Sequence, residues 1–153
     1  MFSAGNFNLM IILLQNFMDK TPDAPAFDLG GKHILVVEDN AVNQLVIKAM
    51  IKSWLNTTTV YANNGCEAID LLHGEKFDIV LMDLQMPVMD GYEATAAIRD
   101  GAAGNRNRDI PIIAVTADVM ETTKATVKGI GMNDYLSKPL DTERLFEAIK
   151  KLA

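Results

Sequence analysis

Apolar residues along this chain gather in short β-type runs that alternate with segments of helical period. The runs HILVV (33–37), TTVYA (58–62), DIVLM (78–82), IPIIAVT (110–116) and DYLS (134–137) predict five strands. The first, third and fourth are apolar almost without a break, as strands covered on both faces of a parallel sheet are. Helix-period segments fill the gaps. One opens at Asn40, a good N-cap ahead of Val42, Leu45, Val46 and Ala49 at i, i+3, i+4, i+7 spacing. The others span about 64–73, 90–99, 118–128 and 141–152. Asp118 and Asp141 serve as caps, and Gly129 and Gly131 suit the end of the fourth helix. Five βα units in a row predict an α/β fold, a doubly wound five-stranded parallel sheet with five helices. Ligands of such sheets bind at the carboxyl ends of the strands.

Ahead of the first strand the pattern changes. NLMIILLQNFM is apolar but falls short of the roughly 20 residues a membrane span needs. No Lys or Arg precedes Lys20, which argues against a secretory signal. DKTPDAPAFDLGG (19–31), with its prolines, aspartates and glycine pair, reads as a linker. The expected division is an N-terminal extension and linker over 1–31, an upstream remnant or leader, and a folded domain over 32–153. A chain of 153 residues with 49% hydrophobic content builds one core. Net charge of −6 and a pI near 4.8 point away from direct nucleic-acid binding. The single cysteine, Cys66, excludes an intramolecular disulfide and a cysteine-based zinc site, and it reads as a packing residue. The expected setting is cytoplasmic, with no membrane contact by the folded domain.

At the predicted carboxyl ends stand Glu38 and Asp39, then Asp83, then Thr116, then Lys138 followed by Pro139. Two carboxylates about 4 Å apart repel by roughly 4 kcal/mol at an effective dielectric of 20, so three stay ionised together only with a cation among them. An all-oxygen site with few protein ligands suits magnesium. Magnesium beside a carboxylate, a hydroxyl and a lysine is equipment for phosphoryl transfer. Asp83 is then the nucleophile that forms an acyl phosphate, Thr116 a hydrogen-bond donor, and Lys138 a point charge on a phosphate oxygen. The Lys138–Pro139 bond is a candidate cis peptide.

The segments VVEDN (36–40), MDLQMPVMDGYEA (82–94), IIAVTAD (112–118) and YLSKPLD (135–141) together resemble the receiver domain of two-component response regulators. The wording is closest to receivers attached to hybrid histidine kinases, and the resemblance covers about Lys32 to Ala153. It implies the flavodoxin-like strand order 2-1-3-4-5 of known receivers, an order that the alternation of strands and helices by itself leaves open. It further implies that Asp83 accepts a phosphoryl group from a histidine kinase or a histidine phosphotransfer protein. Asp39 and Asp83 would be direct ligands of Mg2+, with the Gln85 main-chain carbonyl, and Glu38 would act through water. Thr116 and Lys138 match the phosphate-contacting pair, and Ala117 the small neighbour that leaves room. Tyr135 matches the switch aromatic that swings inward as Thr116 moves; Gln85 and Asp118 match positions that tune the lifetime of the phosphate. The face of the fourth helix, fifth strand and fifth helix is the family's usual place for a homodimer.

Two other classes are weighed against this one. A pseudo-receiver binds partners without phosphorylation, which the intact acid set opposes. A magnesium-dependent aspartyl-phosphate hydrolase of the haloacid dehalogenase type wants a second aspartate two positions after its nucleophile, where this chain has Gln85. With no P-loop or kinase glycine loop in the chain, a partner must supply the phosphoryl group. A receiver belonging to a hybrid kinase is favoured over a stand-alone one. The group Arg99, Arg106 and Arg108 reads as a solvated loop face. Helix one carries a second stripe, Ile47, Met50, Ile51 and Trp54, expected to dock the phosphohistidine partner, to lie under the apolar leader, or to close the domain edge.

Overall fold

A computed structural model describes residues 27–153. Its elements are β1 (Asp28–Val37), α1 (Ala41–Ile51), β2 (Leu55–Ala62), α2 (Gly65–Gly74), β3 (Ile79–Asp83), α3 (Gly91–Arg99), β4 (Ile112–Thr116), α4 (Glu121–Gly129), β5 (Asp134–Ser137) and α5 (Thr142–Leu152). The sheet has the order β2-β1-β3-β4-β5 with every pairing parallel. Among the described residues no helix is long and apolar enough to cross a membrane.

Alternation along the central strands divides the core in two. Leu35, Val37, Val80, Met82, Ile112 and Ala114 face α2, α3 and α4. Ile34, Val36, Ile79, Leu81, Ile113 and Val115 face α1 and α5. Each of the Leu, Ile, Val and Met side chains among them contributes about 1.5–3 kcal/mol on burial, which sets the register of the sheet. That register aligns the strand ends: Val37 pairs with Met82, Asp83 with Val115, and Thr116 with Ser137. Asn40, Asn64, Asp90 and Asp141 cap their helices by accepting first-turn N–H groups.

Several expectations need correction. β1 begins at Asp28, inside the stretch read as linker, and Asp28 pairs with Leu55. Gly30 and Gly31, at φ 65° and 94°, form an irregularity in the β1–β2 register, so a composition typical of linkers serves a bulged strand. Phe27 packs against Trp54 and Phe146, with ring centroids 5.7 and 4.8 Å apart. The apolar run and the rest of the linker lie outside the described residues.

The two stripes of α1 have exchanged roles. Ile47, Ile51 and Trp54 are buried in the core, whereas Val42, Leu45, Val46 and Ala49 face solvent. Periodicity shows that both stripes are helical; it does not choose between them, and here the ring cluster of Trp54, Phe27 and Phe146 decides. Helix α4 starts at Glu121, not Asp118, whose carboxylate instead accepts from Met120 N just ahead of the helix and from Thr123 Oγ1 in its first turn. Cys66 is exposed. The arginines are not uniformly solvated: Arg99 bonds the carbonyls of Gly131 and Arg108, and Arg106 bonds those of Leu72 and His73.

Candidate functional site

Every strand that supplies the site ends at the same rim. Glu38 and Asp39 follow β1, Asp83 is the last residue of β3, Thr116 the last of β4, and Lys138 follows β5. Glu38, Asp39 and Asp83 each offer a carboxylate oxygen within 4.8 Å of the others. Asp39 is exposed, while Glu38 and Asp83 are 2% and 7% exposed. Lys138 Nζ stands 2.9 Å from Glu38 Oε2 and 3.7 Å from Asp83 Oδ2. The Lys138–Pro139 bond is cis, and Lys138 N donates to Thr116 O, which ties the lysine loop to the end of β4.

The two buried acids differ in their support. Burial opposes ionisation of Glu38, but the Lys138 ammonium, the Asn40 N–H and the Asn43 amide outweigh it and hold its carboxyl below the usual range. Asp83 has less help. Burial first and the neighbouring Glu38 charge second push it up to about 6, against Lys138 and a 3.2 Å hydrogen bond from Gln85 N. A buried acid whose charge is opposed in this way, at the end of a strand and beside two more carboxylates, is a position that favours a divalent cation. The donors are all oxygen, so the set fits magnesium.

Gly91 explains the close approach of α3 to this rim. A Cβ there would overlap the Asp83 carbonyl oxygen and stand 2.9 Å from Leu84 Cα. Only glycine lets the helix N-terminus seat against the end of β3. In the intervening loop Val88 has φ 70°, uncommon for a β-branched residue, and its side chain is exposed.

The remaining predicted residues surround the cluster. Thr116 is buried, and its Oγ1 accepts from Asp118 N at 3.1 Å. The Tyr135 hydroxyl donates to the main-chain carbonyl of Asp118, which couples the aromatic to the β4–α4 loop. Thr123 and Met120 hold the Asp118 carboxyl below its ordinary range. Gln85 is exposed beside Asp83.

Two features were not legible in the sequence. Val42, Leu45 and Val46 on α1, Val88 after β3, and Val119 and Met120 after β4 are exposed apolar side chains on elements that start or end at the rim. Between α1 and the lysine loop opens a cavity of about 410 Å³ lined by Glu38, Asn43, Val46, Ile47, Lys138 and Leu140, among others. Asn43 and Gln44 also turn inward onto Glu38. The only signal for these amides was their place one turn after the Asn40 cap.

The sheet order and its rim define a flavodoxin-like α/β protein. The family model of the response regulator receiver domain matches residues 34–150, and the chain belongs to that family, a receiver of two-component phosphorelay signalling. Sensor protein GacS of Pseudomonas syringae pv. syringae is 35% identical over 127 residues, covering 83% of this chain and 14% of its own length. Hybrid signal transduction histidine kinase I of Dictyostelium discoideum is 41% identical over 121 residues, covering 76% of this chain and 7% of its own length. This chain therefore spans a small part of the kinases it matches. Among solved structures, the receiver domain of a sensor histidine kinase from Pseudomonas aeruginosa PAO1, with magnesium coordinated in its active-site cleft, is 39% identical. Its TM-score is 0.71 over 80% of this chain and 98% of that one. A Saccharomyces cerevisiae co-crystal of the histidine phosphotransfer protein Ypd1 and the receiver domain of Ssk1 matches at 30% identity. Its TM-score is 0.70 over 79% of this chain and 88% of that one.

Proposed function

We propose that Asp83 accepts a phosphoryl group from a phosphohistidine on a histidine kinase or histidine phosphotransfer protein, in a magnesium-dependent reaction that switches the domain's conformation. The observation that carries this reading is the convergence of three carboxylates, a buried threonine and a lysine from four loops on one rim.

Asp39, Asp83 and the Gln85 main-chain carbonyl would hold Mg2+, with Glu38 joining through water. Bound there, the ion would neutralise charge on the transferring group and let Asp83 stay ionised. An Asp83 carboxylate oxygen attacks phosphorus; the phosphorus–nitrogen bond breaks, its electron pair leaves on the imidazole, and an acyl phosphate forms. Lys138, already 3.7 Å from Asp83, holds one phosphoryl oxygen. Thr116 turns its hydroxyl from Asp118 N to another phosphoryl oxygen, and Tyr135, bonded to the Asp118 carbonyl, follows that loop inward. Gln85 and Asp118, which match the receiver positions that tune the lifetime of the phosphate, would set it here.

The exposed apolar side of α1 offers a docking surface for the donor. Val42, Leu45 and Val46 present an unpartnered helix face beside the cavity that opens on Glu38 and Lys138. A phosphohistidine partner with an apolar helix face fits that surface. The domain works in the cytoplasm, where such donors act and where the exposed Cys66 stays reduced.

The test is transfer of labelled phosphate from a histidine-phosphorylated phosphotransfer protein. Label should pass to this chain with magnesium and fail to pass to Asp83→Asn. Equal labelling of the variant would reject Asp83 as acceptor, and no labelling of the parent by several competent donors would reject the reading.

A further inference from the structure

We infer that Asn43 and Gln44 at the start of α1 are positioning residues for the metal site and act through Glu38. The inference rests on the magnesium reading above. Glu38 is the most deeply buried charged residue among those described, and both of its carboxylate oxygens are held. Oε2 takes the Lys138 ammonium at 2.9 Å, and Oε1 takes Asn40 N at 3.1 Å and Asn43 Nδ2 at 3.3 Å. The main-chain carbonyl of Glu38 accepts from Gln44 Nε2 at 2.6 Å. The same amide nitrogen reaches Asn63 Oδ1 at 2.9 Å. Asn63 is fixed in turn by Glu67, which accepts from its backbone N at 3.1 Å and its Nδ2 at 3.4 Å. A strap of side chains thus runs from the acid site through α1 to the first turn of α2.

The chemistry of the donors separates their roles. An ammonium on Glu38 competes electrostatically with a divalent cation, and Lys138 is needed elsewhere once a phosphoryl group arrives. An amide carries no net charge, so Asn43 keeps the carboxylate aimed without repelling the metal. Gln44 fixes the other end of the same residue. Backbone and side chain of Glu38 are then set by two consecutive residues of one helix, whose own start is fixed by the Asn40 cap accepting from Asn43 N. In metal sites, groups of the outer shell that hold the residues around the ion typically change affinity by about 10- to 100-fold when removed, and Asn43 holds Glu38, which joins through water, in this way.

The experiment is calorimetric titration of the full chain with magnesium at pH 7.5, for the parent, Asn43→Leu, Glu38→Gln and the double variant. Asn43→Leu keeps the branched heavy-atom skeleton and removes the donor. It should weaken magnesium binding about 10-fold, yet change affinity less than twofold when Glu38 is already Gln, because its effect passes through that carboxylate. Gln44→Leu should weaken binding in the same direction, and Asn43→Ala serves if the leucine variant does not fold. Binding by Asn43→Leu within twofold of the parent would overturn the inference alone. An equal loss in both backgrounds would also overturn it, since a merely structural effect would not depend on Glu38. A parent chain that binds no magnesium at millimolar concentration would overturn both the inference and the reading beneath it.

Discussion

Lys138 bridges Glu38 and Asp83, 2.9 Å from the first carboxylate and 3.7 Å from the second. Among the described residues it is the one full positive charge paired with these two buried acids. Its removal should therefore leave their repulsion uncompensated when no metal is bound. Lys138→Met is expected to lower stability at pH 7.5 by about 2 kcal/mol, less than for a fully buried pair because the lysine side chain keeps 25% of its surface exposed. Urea unfolding without magnesium measures it, and added magnesium should recover part of the loss.

Asp83 itself should cost stability at neutral pH. Burial and the Glu38 charge push its carboxyl up to about 6 from an ordinary 3.8, so between these values the folded state should hold a proton that the unfolded chain has released. Stability from this group falls as pH rises through that window, and the cost is complete above about 6. A rise of this size corresponds to about 3 kcal/mol as an upper bound. Asp83→Asn should raise the metal-free Tm at pH 7.5 by several degrees and leave it nearly unchanged at pH 4, as read by thermal unfolding at the two pH values. By the same linkage, magnesium affinity of the parent should fall as pH drops below 6.

Much of this site was legible in the chain because strand ends are. Continuous apolar runs locate β1, β3 and β4, and in parallel sheets the next residues must emerge at one rim, so Glu38, Asp39, Asp83 and Thr116 follow directly. The inward face of α1 was not legible: both of its stripes are apolar at helical spacing, and only the packing of Trp54 against Phe27 and Phe146 selects one. Phe27 and Asp28 were hidden by Gly30 and Gly31, which read as linker but form the bulged start of a strand. The grip of Asn43 on Glu38 depends on where the cap aims the helix, which spacing alone does not state.

Gly91 makes a sharper prediction about the join between β3 and α3. A methyl group there meets the Asp83 carbonyl and the Leu84 backbone, neither of which can yield as a flexible side chain would. Gly91→Ala should destabilise by about 3 kcal/mol or more, despite alanine's better helix propensity. Chemical denaturation measures the loss, and magnesium affinity should drop with it as the Asp83 backbone shifts.

The exposed stripe of α1 should matter to a protein donor and not to the fold. Leu45→Glu places a charge on the proposed docking face at an already exposed position, so unfolding should change by less than about 0.5 kcal/mol. Transfer from a phosphotransfer protein should fall about 10-fold relative to phosphorylation by a small donor. A stopped assay comparing the two donors on parent and variant gives that ratio.

The most direct measurement of the central claim is intact mass after incubation with acetyl phosphate, with magnesium or with chelator, beside Asp83→Asn. The account predicts a gain of one phosphoryl group that requires magnesium and is absent from the variant. An unmodified parent, folded and treated alongside a competent receiver, would contradict it, as would an equal gain in Asp83→Asn.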